Sequence, residues 1–236
     1  MIAVENLTVA YGDVIVLKDV SFTLNSGVHV LLGRNGSGKS TLLKTIAGLV
    51  RPSKGNVFAL SREVHKLPRR EAVKLIGYVW QNPYAGFVEA TVKEELELSS
   101  KLVGAKLNYE IIDILVSKRL LDRNPLNLSG GEAKRVALAM VLALDQPIWL
   151  LDEPFEYLDI SGIEAVVKVI NYGLSKGKLV LIASAHTSYL HMLKLDQSLI
   201  LSDGRIVFKG PANIVDEDML KRFEVPSRAM ICGPSN

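Results

Sequence analysis

The residues with the clearest chemistry form one glycine-rich stretch, Gly33-Arg34-Asn35-Gly36-Ser37-Gly38-Lys39-Ser40-Thr41. It follows an apolar run, Val28 to Leu32, and opens a helical pattern, Leu42 to Leu49. A strand, a glycine-rich loop and a helix N-terminus in that order bind phosphate, because backbone N–H groups can approach the anion closely. Lys39 adds a positive charge at the β/γ end, and Ser40 is placed to give its hydroxyl to Mg²⁺. The stretch therefore predicts a phosphate site with a divalent cation.

Two carboxylates, Asp152 and Glu153, follow a second apolar run, Ile148 to Leu151. In an open α/β sheet, ligands bind at the carboxyl ends of the strands, where both the glycine loop and this acidic pair fall. Successive residues of a strand point in opposite directions, so the two acids are expected to do different work. We predict that Asp152 holds the Mg²⁺ shell and that Glu153 orients and deprotonates an attacking water. Taken alone, the pair is equally compatible with two solvated acids.

A third stretch, Leu128-Ser129-Gly130-Gly131-Glu132, precedes a helical pattern from Ala133 to Leu144. Ser129 and Glu132 have the spacing of a capping box, which by itself predicts only a well-capped helix. The two glycines also expose the N–H groups of this helix start, which makes it a second candidate anion site.

Composition limits the function classes. The chain has 236 residues, 48% of them hydrophobic, which suits one large domain with a sizeable core. A net charge of +3 is too small to indicate a nucleic-acid surface, and none is expected. The single cysteine, Cys232, cannot form an internal disulfide, and the N-terminus shows no secretory signal. No segment reaches the ~20 apolar residues of a membrane span, so any work at a membrane is expected to need a separate subunit.

Periodicity predicts the elements that position these residues. Alternation from Ile2 to Leu24 favours an antiparallel sheet, whereas the uninterrupted apolar runs favour central parallel strands. The predicted fold class is α/β: a core of mainly parallel sheet with helices that resembles a P-loop NTPase, an N-terminal antiparallel β subdomain and an inserted α-helical subdomain. The predicted single domain, 1–236, divides into the core (1–82 and 145–210), the helical insertion (83–144) and a C-terminal helix and tail (211–236). Within the last part, the pattern predicts a helix from Pro211 to Phe223.

With these motifs in this order, the chain resembles the nucleotide-binding subunits of ABC transporters, from about Val4 to Gly210. Gly33 to Thr41 matches the Walker A loop, and Ile148 to Glu153 matches Walker B with its catalytic glutamate. Leu128 to Glu132 resembles the family signature Leu-Ser-Gly-Gly-Gln, with Glu132 in place of the glutamine. The resemblance implies that ATP and Mg²⁺ are bound, with Ser129, Gly130 and Gly131 facing the nucleotide of a second chain.

The resemblance also assigns single residues. It implies that Tyr11 stacks on adenine and that Gln81, in the Q-loop, contacts Mg²⁺ and the transport partner. It implies that His186 is the switch histidine that reaches the γ-phosphate, although a core histidine remains the alternative. Tyr157-Leu158-Asp159 is similar to the D-loop, but Tyr157 stands where the family has a small residue.

The resemblance implies an ATPase subunit that forms a head-to-tail homo- or heterodimer around two ATP. It would energise an integral membrane transporter subunit, for solute import, from the cytoplasmic face of the cell membrane. The alternative is a soluble ABC ATPase without a membrane partner, in iron–sulfur assembly or at the ribosome. The segments 77–83 and 91–96 are similar to ATPases of energy-coupling-factor importers. Tyr84, Phe87 and Val88 are expected either to present a groove to the membrane subunit or to pack inside the helical subdomain.

Overall fold

A computed structural model describes residues 1–227, and the lone cysteine of the predicted tail lies outside that range. The described chain forms ten strands: β1 (Ile2–Tyr11), β2 (Val14–Leu24), β3 (Gly27–Leu32), β4 (Lys54–Ala59), β5 (Arg62–Glu63), β6 (Ile76–Val79), β7 (Ile148–Asp152), β8 (Leu179–Ser184), β9 (Gln197–Ser202) and β10 (Arg205–Pro211). The same residues form seven α-helices: α1 (Lys39–Ile46), α2 (Arg69–Leu75), α3 (Val92–Val103), α4 (Tyr109–Leu115), α5 (Gly130–Leu142), α6 (Ile160–Ser175) and α7 (Glu217–Arg222).

The larger sheet has six strands in the order β10-β9-β3-β8-β7-β6. All neighbouring pairs from β9 to β6 are parallel, and β10 alone is antiparallel, to β9. β3, β7 and β8 are buried at every residue, which explains why their sequences are apolar without alternation. Asp203 and Gly204, both at positive φ, form the hairpin turn between β9 and β10 that Asp-Gly predicts.

The smaller sheet is antiparallel, in the order β2-β1-β4-β5. β1 and β2 bury alternate residues, as their sequence pattern predicts, and expose the others. Helix α1 packs between the two sheets, with contacts to β2 and β4 on one side and to β7 and β8 on the other. The predicted fold class is confirmed: an α/β core with a mainly parallel sheet and a separate antiparallel sheet.

Two apolar clusters fill the interior. One lies between the sheets and includes Leu42, Leu43 and Ile46 of α1. The other covers the opposite face of the six-stranded sheet and includes residues of α3 to α6. Among residues 1–227, no helix has the length and apolar character needed to cross a bilayer.

Residues 83–144 contain helices and no strand. Two of these helices begin at side-chain caps: the Thr91 side chain accepts from the Glu94 N–H at 3.2 Å, and the Asn108 side chain accepts from the Glu110 N–H at 3.1 Å. α5 packs against α3, α4 and α6 and also against β6. The segment therefore joins the edge of the parallel sheet through the helix that carries the signature motif.

The C-terminal helix is shorter than its pattern predicts. Pro211 ends β10, Ala212–Ile214 is a 3₁₀ turn, and α7 starts only after Asp216. The side chain of Asp216 accepts from the Met219 N–H at 2.8 Å, which makes it the N-cap and fixes where the helix begins.

Candidate active site

The glycine-rich loop lies where the sequence predicts, between the carboxyl end of β3 and the start of α1. Gly38 precedes the helix with φ of 108°, a conformation that residues with a Cβ rarely adopt. Arg34, Asn35 and Gly36 are exposed, whereas Ser37 is buried. The loop therefore leads directly from β3 into the N-terminus of α1, where the first N–H groups of the helix have no partner within the helix.

The Lys39 ammonium lies inside this loop. Its Nζ donates to the carbonyl oxygens of Gly33 at 2.8 Å and Arg34 at 3.3 Å, so the lysine side chain braces the loop. Nζ is also 3.6 Å from Oε1 of Glu153, and both side chains are almost completely buried. Burial lowers the pKa of Lys39, while the carboxylates of Glu153 and Asp152 oppose that shift.

Asp152 ends β7 and is 1% exposed. The hydroxyl of Tyr78, on the adjacent strand β6, donates to its Oδ2 at 3.1 Å, and burial raises the pKa of that phenol. Oδ1 is buried and has no hydrogen-bond partner among the described residues. An orphaned carboxylate oxygen at this position fits a divalent cation, because hard cations prefer oxygen ligands. Ser40, half-buried in the first turn of α1, is the hydroxyl predicted for the same ion.

Glu153 follows Asp152 with φ of 46°, a left-handed conformation that carries strain in a residue with a side chain. Its N–H donates to the carbonyl oxygen of Ala183, and its carboxylate accepts from the N–H of Ala185. Burial raises the pKa of Glu153, and the nearby Lys39 cation works against that rise. A carboxylate whose pKa is raised toward neutrality is suited to accept a proton from water.

Gln81, two residues after β6, is exposed and donates from Nε2 to both carboxylate oxygens of Glu156, at 3.1 and 3.3 Å. The main-chain carbonyl oxygen of Gln81 accepts from Nζ of Lys134 at 3.1 Å. Lys134, fully buried on α5, also donates to the carbonyl oxygens of Trp80 and Asp152, both at 3.3 Å. One lysine therefore joins the signature helix to the ends of β6 and β7.

His186 is half-buried just beyond β8. Its Nδ1 accepts from the Ser188 N–H at 3.4 Å, so the neutral ring carries its proton on Nε2. Burial lowers the pKa of His186, Glu156 opposes that shift and Lys39 adds to it. The ring is thus held as a neutral hydrogen-bond donor at neutral pH.

The signature motif starts α5 with the capping box that its spacing predicts. The Ser129 Oγ accepts from the Glu132 N–H at 3.3 Å, and the Glu132 Oε2 accepts from the Ser129 N–H at 3.1 Å. Gly130 and Gly131 lie against Tyr157, and a Cβ on Gly131 would approach the Tyr157 carbonyl oxygen to 2.9 Å. Ser129 itself is exposed.

Tyr11 ends β1 with its ring 51% exposed, which leaves an aromatic face free. Tyr84 and Phe87 instead turn inward: Phe87 is buried, and the Tyr84 hydroxyl donates to the Leu128 carbonyl oxygen at 2.9 Å. Val88 is 76% exposed. Of the three apolar residues considered for a groove, two pack in the helical region and one faces out.

The structure brings Lys39, Asp152 and Glu153 into one buried cluster and places His186 close enough to sense Lys39 electrostatically. Sequence reasoning missed Tyr78, Lys134 and Glu156. Glu156 offered a signal, because it is the third acid within five residues of the Walker B end. Tyr78 and Lys134 offered none, since their contacts link residues 74 and 53 positions apart, respectively.

A nucleotide-binding loop at the switch between β3 and α1, with a buried carboxylate on β7, defines a P-loop NTPase. Residues 17–156 match the family model described as ABC transporter. The chain belongs to the ATP-binding proteins of the ABC transporter family, and it is an ATPase of that class.

Among similar proteins is the energy-coupling factor transporter ATP-binding protein EcfA1 of Mycoplasma mobile, 37% identical over 220 residues, covering 89% of this chain and 80% of that protein. An ATP-binding cassette solved as a dimer in a post-hydrolysis state with ADP and Pi has a TM-score of 0.81 and 25% identity, covering 89% of this chain and 98% of that one. The structure of cbiO1 from Clostridium perfringens, part of the ABC transporter complex cbiONQ, has a TM-score of 0.75 and 26% identity over 94% of this chain and 92% of that one.

Proposed function

We propose that this chain binds and hydrolyses ATP as the energising subunit of a transporter that imports a solute. The observation that carries the proposal is the buried cluster of Lys39, Asp152 and Glu153 at the carboxyl ends of the parallel strands. The cluster combines a phosphate-binding cation, a carboxylate oxygen without a partner and a carboxylate with a raised pKa.

Each of these residues has a separate role in the proposed reaction. The loop N–H groups and Lys39 hold the triphosphate, and Tyr11 stacks on the adenine. Asp152, Ser40 and Gln81 would hold Mg²⁺, which supplies charge neutralisation at the β- and γ-phosphates. Glu153 orients a water and accepts its proton, and the Nε2–H of His186 donates to the γ-phosphoryl group.

A second chain is proposed to complete each site. Ser129, whose Oγ caps α5, and the neighbouring Gly130 and Gly131 form a helix start that would bind an anion. In a two-fold dimer, this start on one chain faces the ATP on the glycine loop of the other, so two sites form at once. The dimeric ADP-and-Pi relative supports this arrangement.

Crystals with a non-hydrolysable ATP analogue should place the partner's signature serine at the γ-phosphoryl group. A single chain with an open nucleotide would contradict the dimer.

Coupling to a membrane subunit is supported by the relatives EcfA1 and cbiO1, whose names place them in transporter complexes. An ATPase of this kind lies on the inner face of the cell membrane, where Val88 is an exposed apolar residue for the contact.

Purification of the tagged chain from native membranes tests this assignment. We expect an integral membrane protein to co-purify in stoichiometric amount and to be released by detergents that dissociate the complex. Recovery of the chain with ribosomes or with soluble proteins alone would contradict the transport function. Mass spectrometry of the same sample would also show whether the second ATPase is a copy or a relative.

A further inference from the structure

Gln81 is held at both its side chain and its main chain. Nε2 of Gln81 donates to Oε1 and Oε2 of Glu156 at 3.3 and 3.1 Å. The main-chain carbonyl oxygen of Gln81 accepts from the Lys134 ammonium at 3.1 Å. Gln81 is exposed, so burial does not restrict its side chain, which would otherwise sample many rotamers. The hydrogen bonds to Glu156 restrict it instead.

The chemistry of Glu156 also fixes which end of the amide faces it. Nε2 donates to both carboxylate oxygens of Glu156, so the nitrogen of the Gln81 amide faces that residue. The amide oxygen, the only group of this side chain that can ligate a hard cation, is therefore turned away from Glu156 and left without that competitor.

Glu156 also lies near two buried lysine side chains. It lies in the field of the Lys134 and Lys39 cations, and among the nearby carboxylates it acts most strongly on Lys134. Lys134 is buried and donates to three carbonyl oxygens, so its ammonium group is held in one position on the helix that carries the signature motif. Glu156 thus joins the Walker B segment to the loop that carries Gln81.

We propose that Glu156 is a positioning residue for Gln81: by holding Nε2, it presents the Gln81 Oε1 to the divalent cation of the nucleotide. The inference rests on the proposed function, in which Gln81 contacts that cation. It adds Glu156 to the site and assigns a function to the hydrogen bonds between Glu156 and Gln81. The hydrogen bonds to Glu156 restrict the Gln81 side chain before the cation binds, so less conformational entropy is lost on binding. Glu156 therefore strengthens cation binding without contacting the cation.

The test uses Mn²⁺ as the probe, with ADP, and reads free Mn²⁺ by electron paramagnetic resonance on the full chain. Glu156→Ala and Gln81→Ala should each weaken Mn²⁺ binding to the ADP complex about tenfold. ADP affinity without metal should stay within about twofold, because no phosphate contact is lost. Glu156→Gln, which keeps the size but loses the charge and the fixed amide orientation, should fall between wild type and Glu156→Ala. Glu164→Gln, which changes an exposed carboxylate of α6, is the control and should match wild type.

The double variant separates positioning from direct action. If Glu156 works through Gln81, then Gln81→Ala/Glu156→Ala should bind Mn²⁺ no more weakly than Gln81→Ala alone. Additive losses would overturn the inference, because Glu156 would then act on the cation independently. Thermal unfolding of each variant, followed by circular dichroism, identifies any loss of metal binding that comes from misfolding, and Glu156→Gln then carries the comparison.

The remaining outcomes distinguish this inference from the function beneath it. Weak Mn²⁺ binding in Gln81→Ala with normal binding in both Glu156 variants would overturn the positioning role alone. Normal binding in all variants would remove Gln81 from the cation site, and both the assignment and the inference would fail. ATP hydrolysis is not needed for any of these measurements.

Discussion

The Nζ of Lys39 lies 3.6 Å from Oε1 of Glu153, and each side chain is less than a tenth exposed. The pair joins the phosphate loop to the end of β7 through one buried contact of opposite charges. Burial pushes the pKa of Lys39 down and that of Glu153 up, and each partner opposes the shift of the other. A bound triphosphate would compete with Glu153 for the same ammonium group. The base proposed for water and the cation proposed for phosphate are therefore electrostatically linked.

Replacing Lys39 with alanine should weaken ATP binding by roughly 10- to 100-fold, the effect of losing one hydrogen bond to a charged group. Isothermal titration calorimetry of ATP in EDTA measures this without hydrolysis. Lys101→Ala, an exposed lysine of α3, is the matched control and should bind like wild type. Unchanged affinity in Lys39→Ala would contradict the assignment of the phosphate loop.

Lys134 should make stability depend on pH in the alkaline range. Burial lowers its pKa from 10.5 to about 8. Between these values the unfolded chain binds more protons than the folded chain, so this group's contribution to the free energy of unfolding rises with pH and is lost as pH falls through 8. The rise is at most about 3 kcal/mol.

Lys134→Met removes the ionisable group and keeps most of the volume. Urea unfolding from pH 7 to 10 should show the stability of wild type increasing relative to that of the variant. Parallel pH curves for the two proteins would show that Lys134 titrates normally in the folded chain.

The cap of α5 should depend on the length and acceptor of residue 132 more than on its charge. Glu132→Gln keeps an oxygen that can accept from the Ser129 N–H, so its free energy of unfolding should change by less than about 0.5 kcal/mol. Glu132→Ala removes the acceptor and should cost about 1 kcal/mol. Thermal melts compare the two variants, and equal melting temperatures would mean that the capping box does not stabilise the helix.

Val88→Glu should disrupt binding to the membrane subunit while leaving the fold intact. The side chain is 76% exposed, so a charge there changes stability by less than about 0.5 kcal/mol. Co-purification with the membrane subunit is the measurement, and Leu102→Glu, 64% exposed at the end of α3, is the control. If both variants retain the partner equally, Val88 is not part of the contact.

Local signals made most of the fold predictable. The apolar run of β3 and the glycine loop after it predict a buried strand followed by a helix start, and both elements lie where expected. Ser129 and Glu132 predict the cap of α5 because a capping box involves residues three positions apart. The start of α7 was missed because the Asp216 cap competes with an apparently continuous helical pattern from Pro211.

The site was predictable only in part. Spacing predicts Lys39, Asp152 and Glu153, because each lies at or directly after the end of a strand or a loop. The hydrogen bonds of Tyr78 to Asp152 and of Lys134 to Gln81 depend on which strands pair and where α5 packs. Burial of a lysine is also contrary to the usual exposure of that residue type, so no local pattern indicates it.

The most direct test of the account is the rate of ATP hydrolysis by the purified transporter complex with Glu153→Gln. The variant keeps the shape of the side chain but cannot accept a proton, so a single turnover of radiolabelled ATP should slow by about 10²- to 10⁴-fold. ATP affinity, measured on the same sample, should remain close to that of wild type. Hydrolysis at nearly the wild-type rate would contradict the assignment of Glu153 as the base and, with it, the proposed mechanism.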